Sequence, residues 1–445
     1  MKLNYKNTFL VGLAFMSIIA FWQLYDNVVP LLLTTTFHLS EDLTGVIMAA
    51  DNILALFLLP LFGRISDRTT TKIGKRMPYI LGGTLVVAVL LNLLPIIDNG
   101  FYNGNTGIFF GLVPFVIVLG LILITMSVYR SPAVALMPDI TPKPLRSSGN
   151  AIINLMGAAG GIIYLAFTAV MYPKSKTEGL EHVDYQLLFV FMSIFMVVCI
   201  FVMYKMLDEP KLTKENIEIE KQHPEWDLTE SSSYEGSAKL PGPVLRSMIF
   251  LLASIALWYI GYNAVTTWFT TYISVTMGEG IGGASTCFLV ANVGAILSYI
   301  PIGVAASKFG RKKMIYFGTL LLSASFLACY ILTANADSVT VPMYVTFALV
   351  GVAWASISVN SLPMAVEMCK GSDVGKYTGL YYTASMAGQV VTPILAGFLL
   401  KNVSYKILFI YATLFSFASF ITMIFVRHGD VKAESLKGLQ NFEEM

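Results

Sequence analysis

Two carboxylates and one guanidinium stand where the sequence is otherwise built for lipid. Asp51 lies in Ala49-Ala50-Asp51-Asn52-Ile53, Asp26 in Trp22-Gln23-Leu24-Tyr25-Asp26-Asn27, and Arg130 follows a long apolar run. An ionisable side chain in the middle of a spanning helix costs roughly 2.5–3.5 kcal/mol on insertion scales, so its presence points to function. A carboxyl that alternates between a dry pocket and the neighbourhood of a cation changes its affinity for a proton, and so can load and release one. Asp51 is the leading proton carrier on this reading, with a structural carboxylate bonded to a neighbouring helix as the plain alternative. Around Asp26 a helical period stacks Trp22 on Asp26 and Gln23 on Asn27. Acids and amides beside an aromatic ring suit a sugar, which offers hydroxyls around a ring with apolar C–H faces; a gate or an interfacial aromatic belt would use the same residues. Arg130 can pair with a carboxylate or hold hydroxyls through its fork of donors, unless its stem snorkels to the headgroups.

The remaining candidates are neutral. Asn52 adjoins Asp51, Asn150 and Asn154 are four apart, and Tyr259, Asn263 and Thr267 share a face, with Asn360 and Gln389 further along. Each could instead make an ordinary interhelical hydrogen bond. The second half of the chain has no mid-helix acid, so it is expected to offer neutral contacts while the first half handles charge.

The elements that must hold these residues are membrane helices. The chain of 445 residues is 56% hydrophobic and 13% charged, against about 25% charged in an ordinary soluble domain. Twelve apolar runs are each long enough to cross about 30 Å of hydrocarbon. They lie at about 8–33, 42–63, 78–97, 108–137, 148–171, 185–207, 244–274, 282–306, 314–333, 340–366, 376–399 and 403–426. The first is too long for a signal-peptide core and lacks a small-residue cleavage site. With the N-terminus inside, four of the 29 basic residues fall outside (Lys174, Lys176, Lys401, Lys406) and Arg130 falls within a helix; basic residues mark the retained side, so both termini are expected to be cytoplasmic. The fold expected is all-α, with six helices in 1–207, a cytoplasmic linker over 208–243, six more in 244–426 and a tail over 427–445. The linker shows as mixed charge, Ser231-Ser232-Ser233 and Pro241-Gly242-Pro243.

The two halves repeat. Gly63-Arg-Ile-Ser-Asp67-Arg68 with Gly74-Lys75-Arg76 closes the second span, and Gly303-Val-Ala-Ala-Ser307-Lys308 with Gly310-Arg311-Lys312-Lys313 closes the eighth. Parallel duplication around a central site is a recurring transporter plan. The first loop resembles the signature between helices 2 and 3 of the major facilitator superfamily, which implies a gating latch built from Gly63, Asp67, Arg68, Gly74, Lys75 and Arg76. The second copy departs from it, with Ser307 where an acid is usual.

A narrower resemblance runs through Pro60, Gly63, Ser66-Asp67-Arg68, Lys72, Gly74-Lys75-Arg76 and Pro78-Tyr79-Ile80, and again through Pro132-Ala133, Ala135-Leu136, Asp139, Arg146 and Asn150-Ala151. These blocks are similar to those of sucrose carriers and proton-associated sugar transporters. The resemblance implies proton-coupled uptake of a disaccharide or related glycoside at a plasma membrane, by a protein acting as a monomer. Residues 39–63 also align with glycoside-pentoside-hexuronide carriers. Sodium-coupled members of that group carry carboxylates where this chain has Ala55, Leu59 and Arg130, so the resemblance favours a proton over sodium.

Other signals carry less. Gly278-Glu-Gly280-Ile-Gly-Gly283 follows no strand, which removes a dinucleotide reading. No P-loop, HExxH or GxSxG is present, so neither ATP drive nor hydrolysis has support. Cys199, Cys287, Cys329 and Cys369 have no paired spacing, and no cofactor or metal is expected. A net charge of +2 without a basic stripe gives no nucleic-acid partner. Asn402-Val-Ser404 fits a glycosylation acceptor in form only. Two rival readings remain: an efflux carrier for amphipathic drugs, suggested by 21 Met residues, and a sugar sensor that moves nothing.

Overall fold

A computed structural model describes residues 3–104, 107–142, 145–177, 179–223, 241–334, 336–368 and 374–429. Linker residues 224–240, tail residues 430–445 and Cys369 lie outside the described residues. The chain forms α1 (Tyr5–Thr35), α2 (Glu41–Asp67), α3 (Met77–Gly104), α4 (Ile108–Ile140), α5 (Arg146–Met171), α6 (Lys174–Thr177), α7 (Gln186–Met206), α8 (Glu209–Gln222), α9 (Gly242–Met277), α10 (Ile281–Phe309), α11 (Arg311–Thr333), α12 (Val341–Glu367), α13 (Val374–Asn402) and α14 (Ile407–Ile424). Twelve of these are long and apolar enough to span a bilayer; α6 and α8 are the short exceptions.

Spanning helices are dictated by the solvent, because hydrocarbon offers no partner to an unbonded peptide group. Large apolar side chains such as Phe57, Phe110, Leu297 and Val304 accordingly stay exposed on the outside of the bundle, facing what would be lipid. Small residues let the helices approach. Gly160 sits against the Met16 backbone, Gly351 against Ala291 and Gly261 against Ala412, places where a Cβ has no room.

Within the first half α1 packs on α5 and α3 on α4 and α7; within the second, α12 packs on α10 and α11, and α14 on α9 and α11. The halves meet where α2 lies along α13, α5 along α10 and α1 along α9. The first and last described residues, α8 and the α2–α3 loop share one face of the protein, here the terminal face. The polar contacts that tie the halves together cluster at the opposite, far face. Asp42 pairs with Lys401 at 2.9 Å and Lys174 with Glu279 at 3.6 Å. Tyr405 donates to Glu41 at 2.6 Å, Thr270 to Asn27 at 2.9 Å, and the Gly282 N–H to the Tyr172 carbonyl at 3.1 Å. Gly45 and Gly397 lie directly on the Pro393 and Glu41 carbonyls, so the far face is closed by backbone contact as well as by charge.

The linker opens with the 14-residue helix α8. Hydropathy could not reveal it, since the segment is polar and needs no lipid. Local signals sustain it instead: the Asp208 side chain accepts from the Lys211 N–H and Pro210 occupies the first turn, where a missing N–H is harmless.

Candidate functional site

A cavity of about 380 Å³ lies between the two halves, lined by Trp22, Asp26, Asp51, Asn52 and Arg130 from the first and by Tyr259, Asn263, Thr266, Thr267, Tyr382, Ser385 and Gln389 from the second. That volume suits a small ligand, since such sites run from about 300 to 1,000 Å³. α1, α2 and α4 bring every charge in the cavity, and α9 and α13 bring hydroxyls, amides and rings. Asp51 accepts from the Asn52 amide at 2.8 Å. The Arg130 guanidinium lies 5.7 Å from the centre of the Trp22 ring, a cation–π distance, so its stem reaches the cavity instead of running to the headgroups. Tyr25 joins the two acid-bearing helices by donating to the Met48 carbonyl at 3.4 Å. Trp22 Nε1 is buried without a hydrogen-bond partner among the described residues. A buried donor normally has one, and this one belongs to a residue of the cavity wall.

The expected residues do not all arrive there. Asp26, Asp51, Arg130, Trp22, Asn52, Tyr259, Asn263 and Gln389 line the cavity. Asn27 is buried and holds the halves together through Thr270, while donating to the Gln23 carbonyl at 2.7 Å; Gln23 lies beside it, off the lining. Asn360 is buried and donates to the Ser356 carbonyl at 2.8 Å within its own helix. Asn150 and Asn154 are exposed and are not among the residues that line the cavity. Tyr382 and Met386, which the sequence did not single out, also line the cavity, whereas the adjacent Tyr381 is buried against Ser361 at 2.9 Å.

The loop after α2 forms a compact charge network on the terminal face. Arg76 is buried and donates through Nε to Asp139 at 2.8 Å, with Asp67 and Ser66 as further partners. Lys75 reaches Asp139 at 3.1 Å. Burial works against the Arg76 charge, but Asp139 and Asp67 outweigh it and hold the guanidinium pKa above its ordinary value. Arg68 is exposed, and its N–H closes the end of α2. Gly63 packs against Ser131 of α4. A residue the sequence reading missed completes the network: Glu209 of α8, 1% exposed, accepts the Lys75, Arg76 and Met77 N–H groups, each at 2.8 Å. These are the free donors at the start of α3, where a negative charge is favoured. Gly74 has φ of +115° and a Cβ there would collide with the Glu209 carboxylate, so two requirements fall on one glycine. In the repeat, the Ser307 side chain lies outside the described residues. Gly278, read above as no nucleotide motif, ends α9 in the left-handed region at φ +61°.

The profile of the Major Facilitator Superfamily matches residues 11–298 and 280–442. The chain belongs to that superfamily. It is therefore a multi-pass membrane transporter and not an enzyme. Among curated proteins, sucrose transport protein SUT1 of Oryza sativa subsp. japonica is 30% identical over 138 residues, 29% of this chain and 26% of that protein. Sucrose transport protein SUC3 of Arabidopsis thaliana is 28% identical over 138 residues, 29% of this chain and 23% of that one. The match thus spans about a quarter of the length of these relatives. Among solved structures, the inward-open xylose transporter XylE from E. coli superposes with a TM-score of 0.67 at 15% identity, over 98% of this chain and 99% of that one. A bacterial homologue of the iron transporter ferroportin in an inward-facing state gives 0.68 at 13% identity, over 95% and 99%. At such identities these structures establish the shared fold.

Proposed function

We propose that this superfamily member is a secondary active symporter that takes up a disaccharide or related glycoside together with a proton. The observation that carries the reading is the division of the central cavity. Asp26, Asp51 and Arg130 face it from one half, and uncharged hydrogen-bonding and aromatic side chains face it from the other. A sugar bridging the halves would find ring faces in Trp22 and Tyr382 and paired donors and acceptors in Asn263 and Gln389. The orphan Trp22 Nε1 then has a hydroxyl to bind. The matched stretch of the sucrose transport proteins supports the sugar class. With the basic loops in the cytoplasm of a plasma-membrane protein, the closed far face is extracellular and the structure is the inward-facing state.

In this reading Asp51 carries the proton. Ionised, its charge is balanced by Arg130 in the same cavity; protonated, it leaves Arg130 free to engage the substrate. One chain supplies the whole cavity, so the mechanism needs no second copy.

The test uses proteoliposomes with a trapped pH dye, challenged with a panel of glycosides in the presence and absence of sodium. Internal acidification on adding one disaccharide, unchanged by sodium, is the expected trace. Flux that follows sodium and leaves the pH untouched, or no flux with any glycoside, would overturn the reading.

A further inference from the structure

Far from the central cavity, on the terminal face of the first bundle, a cleft of about 330 Å³ opens where α7 runs into α8. Lys72 from the α2–α3 loop and Lys205 from the last turn of α7 both line it, as does Tyr204. Both lysines are exposed. Lys205 holds its ammonium 5.5 Å from the Phe201 ring and 5.9 Å from the Tyr204 ring, beside the apolar side chains at the end of α7. The acid in the cleft, Asp208, accepts from the Lys211 N–H at 3.2 Å, and nearby Glu209 is occupied by the start of α3. Positive charge is therefore in excess in the cleft.

Directly adjoining, and sharing Tyr204, is a groove of about 300 Å³ between α3 and α7. Leu81, Leu85, Val197 and Phe201 line it, and it offers no polar surface. The combination has the two parts of a membrane lipid in register: a cationic seat at the level of the headgroups and an apolar channel running into the hydrocarbon.

We infer that this composite site binds one anionic phospholipid, its phosphate seated between Lys72 and Lys205 and an acyl chain laid along the α3–α7 groove. Basic pockets between spanning helices select lipids in this way, and a lysine at an anionic surface contributes about 1 kcal/mol, or about fivefold in binding. The Lys72 arm belongs to the loop that Arg76 and Glu209 hold, so a bound headgroup would touch the same loop from its lipid side. The inference is independent of the transported substrate.

The experiment is electron spin resonance of the full chain in phosphatidylcholine vesicles carrying spin-labelled phosphatidylglycerol or spin-labelled phosphatidylcholine. The motionally restricted fraction of each gives a relative association constant. Phosphatidylglycerol should be preferred, the preference should fall about fivefold in Lys72→Gln or Lys205→Gln, and it should persist in Lys308→Gln or Lys313→Gln, each of which removes the same single charge from the other bundle. An equal fall in that control would reduce the effect to diffuse surface attraction and overturn the site. So would a wild-type protein that holds both lipids alike. A groove variant, Val197→Trp, should displace the labelled chain while both lysines remain; unchanged restriction there overturns the acyl half of the assignment.

Discussion

Replacing Glu209 by alanine removes a carboxylate that is 1% exposed and accepts three N–H groups at 2.8 Å. A hydrogen bond to a charged group contributes about 1.5–3 kcal/mol, and a buried donor left unpaired costs about 1–3 kcal/mol. Simple addition over three donors overstates the loss, since they share one acceptor and water can follow the side chain out. Losing a buried charged partner typically costs about 3–5 kcal/mol, which is the loss expected here. Glu209→Gln keeps the shape and one acceptor oxygen but turns an amide N–H toward backbone donors, so it should fall roughly midway. Glu209→Asp shortens the arm and should resemble alanine. The assay is thermal unfolding of the detergent-solubilised protein, with Glu215→Ala as control on the same helix. Glu215 is solvated and pairs with Lys211 at 3.9 Å, one turn away, a geometry that contributes little, so its melting temperature should stay in place. Equal melting of the Glu209 and Glu215 alanine variants would refute the claim that this side chain closes the start of α3.

Other consequences can be checked on the same preparation. Asp51→Asn should abolish uphill accumulation and sugar-driven acidification while sparing counterflow exchange; undiminished uphill uptake would remove Asp51 from the proton path. Trp22→Phe keeps a ring but loses the Nε1 donor, so the apparent sugar affinity should fall about fivefold, the value of one hydrogen bond near 1 kcal/mol, and Trp22→Ala should fall further. Gly45→Leu places a side chain where the Pro393 carbonyl now lies. It should prevent far-face closure, which an impermeant thiol reagent would report as raised labelling of Met48→Cys in the cavity wall. Asn150→Ala and Asn154→Ala should leave transport within twofold, because neither residue is among those that line the cavity.

The spans and the duplication were legible because a bilayer imposes one demand on every residue in it, and hydropathy reads that demand directly. Helix ends were less so: α3 runs on to Gly104 and α9 to Met277, since a helix may continue past the hydrocarbon wherever its own hydrogen bonds suffice. Asp26, Asp51 and Arg130 could be named from sequence because a charge among apolar neighbours is conspicuous. Neutral residues gave no such contrast. Asn263 and Asn360 look alike in the chain, yet one lines the cavity and the other bonds back to the Ser356 carbonyl; the difference is the rotation of a helix against neighbours that are distant in sequence. Glu209 was hidden for the opposite reason, in a segment so polar that one more acid stands out from nothing.

The placement of charge also constrains how the two halves can move. All the cavity's carboxyl and guanidinium groups, Asp26, Asp51 and Arg130, ride on one bundle, so a rocking motion need not break an ion pair across the central cleft. The pairs that must break are at the far face, Asp42 with Lys401 and Lys174 with Glu279. Three of these four side chains are 28–41% exposed and only Glu279, at 7%, is deeply buried, and solvated pairs of this kind contribute about 0–1 kcal/mol. Opening therefore meets its resistance in the glycine-mediated backbone contacts of α2 with α13 and α5 with α10, and substrate binding has to stabilise the open and closed arrangements unequally through those surfaces. Enlarging Gly45 or Gly282 should consequently shift the conformational balance more than neutralising Asp42 or Lys401. The opposite ranking in the thiol-labelling assay would place the gate in the surface charges.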